Sequence, residues 1–170
     1  SQMRCTVELA IVPGATHLFE EPGALDEVGS RIYRAHQDLA NWKTWPFSER
    51  AELMKKAAGL LRDKAGEFAR LMALEMGKPV RDGRPEIEKC AWVCDHYAEQ
   101  AESILSPEII ATDADKSYVT FKPLGVVLAV MPWNYPFWQV FRFAAPALMA
   151  GKTLSSVAKL VSTRMRAAGW

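Results

Sequence analysis

A chain of 170 residues, 49% hydrophobic and 24% charged, holds enough apolar material for one core and lacks the composition of a disordered segment. Its 21 Lys and Arg residues offset 20 Asp and Glu, so a net charge of +1 provides no field that would recruit nucleic acid or an anionic membrane surface. The longest apolar stretch, 124–151, is broken by Pro132, Asn134, Pro136, Arg142 and Pro146, which excludes it as a membrane span.

No charged and apolar leader pattern opens the chain, and three cysteines, Cys5, Cys90 and Cys94, make an odd set without framework spacing. The expectation is a cytoplasmic protein with reduced thiols. Helical spacing is predicted over 25–41, leading into the turn Trp42–Trp45. Ser48 then precedes Glu49 as an N-cap for a helix with apolar positions Leu53, Ala57, Leu60, Leu61, Phe68, Leu71 and Met72, ended by Gly77 and Pro79. A third helix is predicted to start at Pro85 and to bury Ile87, Ala91, Cys94, Ala98, Ala101 and Leu105, with Glu86, Lys89 and Glu102 on its polar face.

After the polar turn Thr112–Lys116, alternation over Tyr118–Lys122 predicts a half-buried strand. Val126–Met131 is a continuous apolar run of strand length, expected to be covered on both faces. Beyond Pro136 an amphipathic helix carries Phe137, Val140, Phe141, Ala144 and Leu148 toward a core, with Pro146 bending it. Strand followed by helix is half of a βαβ unit. Thr153, Leu154 and Val157 are a weak candidate for its second strand. The turn Pro132-Trp133-Asn134 therefore falls at the carboxyl end of a strand, where open α/β sheets bind ligands. On position alone Asn134 either caps the helix or turns its amide to the crevice. Arg142 is either a solvated helix residue or an anion holder. Cys90, Cys94 and His96 form C-x-x-x-C-x-H, which lacks a fourth metal ligand; the two thiols read as core and near-core residues and no metal is expected.

The run FKPLGVVLAVMPWNYPFWQVFRFAAPALMAG, together with the upstream EMGKP, resembles the aldehyde dehydrogenase superfamily over residues from about 32 to 151. FWQVFR is similar to the branch that takes succinate semialdehyde. The resemblance implies NAD or NADP as cofactor and a small-molecule aldehyde as substrate. It also implies a cysteine thiohemiacetal as intermediate and a homo-oligomer for the complete family. Asn134 matches the amide that donates to the developing oxyanion, a task suited to a fixed neutral donor. Val130, Met131, Pro132 and Trp133 match cofactor-groove positions, and the absence of G-x-G-x-x-G agrees with the family. Tyr135 and Arg142 match substrate-tunnel positions. A guanidinium there presents a forked donor pair to the far carboxylate of a semialdehyde acid. No cysteine follows Cys94, so the nucleophile is missing and the chain alone is expected to be inactive. The competing expectation is a non-enzymatic truncated remnant or interaction module.

Both ends diverge from the pattern. Residues from about 7 to 28 resemble the C-terminal end of a dienelactone hydrolase-type α/β-hydrolase, with His17 matching a triad histidine. No G-x-S-x-G nucleophile motif accompanies it. Past Gly151, Lys152 and Val157 stand where the family has an asparagine and a ribose-holding lysine, with Lys159 two positions further on. A shifted frame or a truncated gene would produce such a tail. The resulting expectation is an α/β protein with a truncated aldehyde dehydrogenase-like fold: N-terminal helices followed by the first strand and helix of a Rossmann-like domain. Its divisions are an appended segment at 1–30, a helical part at 31–117, an oligomerisation-type strand at 118–124, the start of a dinucleotide-binding domain at 125–157, and a divergent tail at 158–170.

Overall fold

A computed structural model describes residues 9–11, 24–132 and 134–158. In chain order the elements are β1 (Leu9–Ile11), α1 (Ala24–Trp42), α2 (Phe47–Asp63), α3 (Ala65–Met76), α4 (Val80–Ile104), β2 (Glu108–Ile109), β3 (Tyr118–Val119), β4 (Val126–Met131), α5 (Pro136–Met149) and β5 (Thr153–Ala158). Strands β4 and β5 pair in parallel from Val126 with Thr153 to Met131 with Ala158, and α5 is the crossover between them. The sheet order is β1-β5-β4, with β1 also parallel to β5. The weak strand candidate after Gly151 is thus the central strand of the three.

The single long helix expected behind Ser48 is two helices. Lys64, at φ −100° and ψ 11°, ends α2 and opens α3, and Ser48 makes no cap because Pro46 holds the N-cap position. Of the expected apolar positions, Leu61 and Met72 are buried and Ala57 and Phe68 half-buried, but the stripe otherwise differs. Met54, Ala58, Leu61, Ala65, Ala69 and Met72 face the core, while Leu53, Leu60 and Leu71 are exposed. Alanine spacing lets α4 approach closely, which bulky leucines on that face would prevent. Gly83 serves the same approach: a Cβ there would lie 3.0 Å from the Ala69 Cβ and 3.1 Å from its Cα.

Helix α4 begins five residues before the predicted start, so Pro85 lies inside it. Lying past the first turn, it removes one intrahelical bond, the one residue 85 would give to the Arg81 carbonyl, and the helix runs on to Ile104. Its buried residues Ile87, Cys90, Ala91, Val93, Cys94 and Ala101 meet Ala144, Ala145, Leu148 and Met149 of α5 in one core. Trp42 ties the end of α1 into that core, donating its indole N–H to the Leu148 carbonyl at 3.0 Å. The strand predicted over Tyr118–Lys122 is shorter, and its partner was missed. Tyr118 and Val119 pair antiparallel with Ile109 and Glu108, and all four residues are exposed.

Candidate functional site at the β4–α5 turn

The turn between β4 and α5 is built around the N-terminus of α5. Tyr135 occupies the N-cap position without a side-chain cap, and Pro136 follows at the first helical position. Proline suits that place because its absent N–H leaves one fewer donor to satisfy. The next two donors, the Phe137 and Trp138 backbone N–H groups, both donate to Glu86 Oε1, at 3.0 and 2.9 Å. Gln139 N–H then starts the ladder with the Tyr135 carbonyl at 2.9 Å.

Helical period puts Glu86 on the polar face of its helix; the structure buries it to 5% exposure. Its second oxygen, Oε2, receives the Lys78 ammonium. Lys78 comes from the EMGKP segment and also stands over the Tyr135 ring, 3.9 Å from the centroid. Lys89, another supposed polar-face residue, lies over the Trp138 ring at 4.0 Å. The turn is therefore gripped from α4 and from the α3–α4 connection. The available signal in the sequence was a helix opening as YPFW with no Ser, Thr, Asp or Asn at its N-cap, and hence in need of an acceptor from elsewhere.

Asn134 is exposed one residue before the N-cap, so the capping alternative for its side chain is not realised. Its Oδ1 faces Gln139 Nε2 at 3.5 Å, a long contact that leaves the amide N–H₂ available. Gln139 Oε1 is buried and unpartnered. Arg142 is the only exposed residue of α5 among the described residues. It lies two helical turns beyond Tyr135, and helical side chains lean toward the N-terminus, here toward the turn. Tyr135 is itself exposed. Met131 is half-buried and Pro132 exposed at the end of β4, and Val130 precedes them in the strand. Trp133 lies outside the described residues.

Residues 22–161 match the aldehyde dehydrogenase family. The chain belongs to that family. A probable succinate-semialdehyde dehydrogenase (NADP(+)) of Synechocystis sp. is 50% identical over 125 residues, covering 74% of this chain and 28% of that protein. A succinate-semialdehyde dehydrogenase (NADP(+)) of Mycobacterium leprae is 47% identical over 133 residues, 76% of this chain and 29% of its own length. Among solved structures, the succinic semialdehyde dehydrogenase from Streptococcus pyogenes in complex with NADP+ superposes with a TM-score of 0.75 at 28% identity, over 88% of this chain and 32% of that one. The chain thus spans under a third of the length of the relatives it matches.

Fit to the dinucleotide that the aldehyde dehydrogenase family implies can be judged from the donors of α5. Nucleotide-binding sites of the usual doubly wound kind place a phosphate on the first helix N-terminus. Here that position holds the Glu86 carboxylate, and a second anion would be repelled. With both free donors of α5 already given to Glu86, the start of this helix does not fit a phosphate of the dinucleotide. This agrees with the missing glycine fingerprint.

Cys90 and Cys94 are fully buried core residues, as read from the sequence. Burial pushes both thiols up, Cys94 to about 12. A thiol so disposed does not supply the thiolate an aldehyde dehydrogenase needs. Among the described residues no group of three His, Cys, Asp or Glu side chains could hold a metal. His96 instead stacks on Trp92, with ring centroids 5.5 Å apart. The hydrolase likeness gains no support from the family match, which starts at residue 22. His17, Cys5 and Lys159 lie outside the described residues. Among the described residues no helix is long and apolar enough to cross a membrane.

Proposed function

We propose that this chain supplies the oxyanion-donor and carboxylate-holding part of an NADP-dependent succinate-semialdehyde dehydrogenase. The observation that carries the reading is the pairing of an exposed Asn134 amide in a turn fixed at its helix end with Arg142, the exposed residue of α5. Arg142 follows Asn134 by eight positions, about 12 Å if measured along a helix axis, and a helical side chain tilts toward the N-terminus, the side on which the turn lies. A semialdehyde acid lying between them would present its aldehyde oxygen to Asn134 and its carboxylate to Arg142. The names of the Synechocystis and Mycobacterium relatives support both the substrate and the cofactor.

Bound NADP supplies the hydride acceptor. Met131 and Pro132, with Val130 and Trp133 beside them in sequence, would line its groove, and Tyr135 would form part of the substrate wall beside the Lys78 ammonium. Asn134 stabilises negative charge as it grows on the aldehyde oxygen, without giving up a proton of its own. Neither core thiol serves as the attacking thiol, because both are shielded from solvent, and no cysteine follows the Asn134 turn. The complete enzyme is a homo-oligomer acting in the cytoplasm, and residues 1–170 purified alone turn over no semialdehyde.

A chimaera in which residues 32–151 replace the matching segment of the Synechocystis relative tests the reading. It is expected to reduce NADP with succinic semialdehyde, and Asn134→Ala is expected to lower kcat by about 10²–10³, the effect of losing one oxyanion donor. An Asn134→Ala chimaera with undiminished kcat would overturn the assignment.

A further inference from the structure

We infer that Glu86 is the positioning residue of the Asn134 turn: its carboxylate, steadied by Lys78, serves as the N-cap that α5 lacks in its own sequence. The donors close the count. Position one of α5 is a proline, positions two and three donate to Glu86 Oε1, and the fourth is bonded within the helix. No hydroxyl, amide or carboxylate from residues 134–136 takes part, and the cap arrives from a residue 51 positions before Phe137.

A local cap would leave the turn free to pivot with its own helix. A cap from α4 instead fixes the start of α5 relative to the core that Ile87, Cys90 and Leu148 share. The Glu86 side chain is 3% exposed and that of Lys78 10%, so both charges are taken out of water and each depends on the other. Their division of labour is specific: Oε2 meets the ammonium, and Oε1 meets both N–H groups, where a negative charge also suits the helix dipole. Lys78 continues the grip onto the Tyr135 ring. Residues 135–138 are thereby held on two sides, and Asn134 sits directly against that clamp. The catalytic consequence rests on Asn134 acting as the oxyanion donor; the cap itself does not.

The test uses the full 170-residue chain, labelled with ¹⁵N and ¹³C. Scalar couplings across the hydrogen bonds, from the Phe137 and Trp138 amide nitrogens to the Glu86 carboxyl carbon, are expected in the wild type. Amide exchange at Phe137 and Trp138 is expected to rise about tenfold or more in Glu86→Ala, with most protection restored in Glu86→Gln, which keeps an acceptor oxygen. In Glu86→Ala the Asn134 side-chain N–H₂ signals shift, while amides of α2 such as Ala58 stay unmoved. Absence of both couplings overturns the cap, as does unchanged exchange in a folded Glu86→Ala. Faster exchange with an unmoved Asn134 amide overturns the positioning role. Should Glu86→Ala fail to fold, the wild-type couplings and the Glu86→Gln exchange decide alone. Failure of the oxyanion reading shows separately, as undiminished turnover by the Asn134→Ala chimaera.

Discussion

The first half of α4 and the hairpin beyond its end are built on opposite terms. From Gly83 to Cys94 one face of the helix, with Gly83, Ile87, Cys90, Ala91 and Cys94, is buried against α2, α3 and α5, and even the Glu86 carboxylate there is buried with its partners in place. Past Ala101 the chain leaves Ile104, Ile109, Ile110, Tyr118, Val119 and Phe121 exposed. An open apolar groove of about 300 Å³, lined in part by Tyr97, Ala101, Phe143 and Pro146, lies between that end of α4 and α5. The difference teaches that the start of α5 finds its cap within this segment, whereas the hairpin end presents apolar surface that the segment itself does not cover.

The contrast can be broken most sharply at Glu86. Replacing it by alanine strands the Lys78 charge and two helix donors, and is expected to cost about 3–5 kcal/mol in chemical denaturation. A loss under about 1 kcal/mol would place the turn among weakly held surface features. Ile87→Ala, which removes a fully buried side chain from the same half of α4, is expected to cost about 3 kcal/mol by the same measurement.

An alkaline titration sharpens the comparison further. The Cys94 thiol, at 9.0 before burial and about 12 within the fold, binds its proton more tightly folded than unfolded. Its contribution to stability is therefore full below pH 9 and is lost as pH rises through 12. Denaturation midpoints should fall across that window, and less so in a Cys90→Ala/Cys94→Ala variant; parallel profiles would show that the thiols are not buried as described. Ile109→Ser, on the hairpin, is expected to change stability by no more than about 0.5 kcal/mol.

Much of the site-bearing unit was readable from the order of residues. A continuous apolar run, a break at Pro132 and an amphipathic stretch behind Pro136 specify strand, turn and crossover helix, because periodicity and proline placement act locally. The motif around Asn134 led to the family. Glu86 was not readable: helical period places it on a polar face, and only the docking of α5, 51 residues later, gives that carboxylate its donors. The buried stripe of α2 and α3 was legible in part: Leu61 and Met72 are buried as expected, but Leu53, Leu60 and Leu71 are exposed. Choosing leucines over alanines assumes that size decides burial, whereas close helix packing at Ala58, Ala69 and Gly83 favours the smaller face. The weak strand after Gly151 became central through pairing on both sides, which strand propensity alone does not encode.

The central claim is that Asn134 and Arg142 act on opposite ends of one semialdehyde acid, and its most direct test is kcat/KM for Arg142→Ala in the chimaera. With succinic semialdehyde, loss of a charge-assisted forked pair is expected to lower kcat/KM by roughly 10- to 100-fold. With an uncharged aldehyde of similar length, kcat/KM should be nearly unchanged. Equal loss for both substrates would contradict the account.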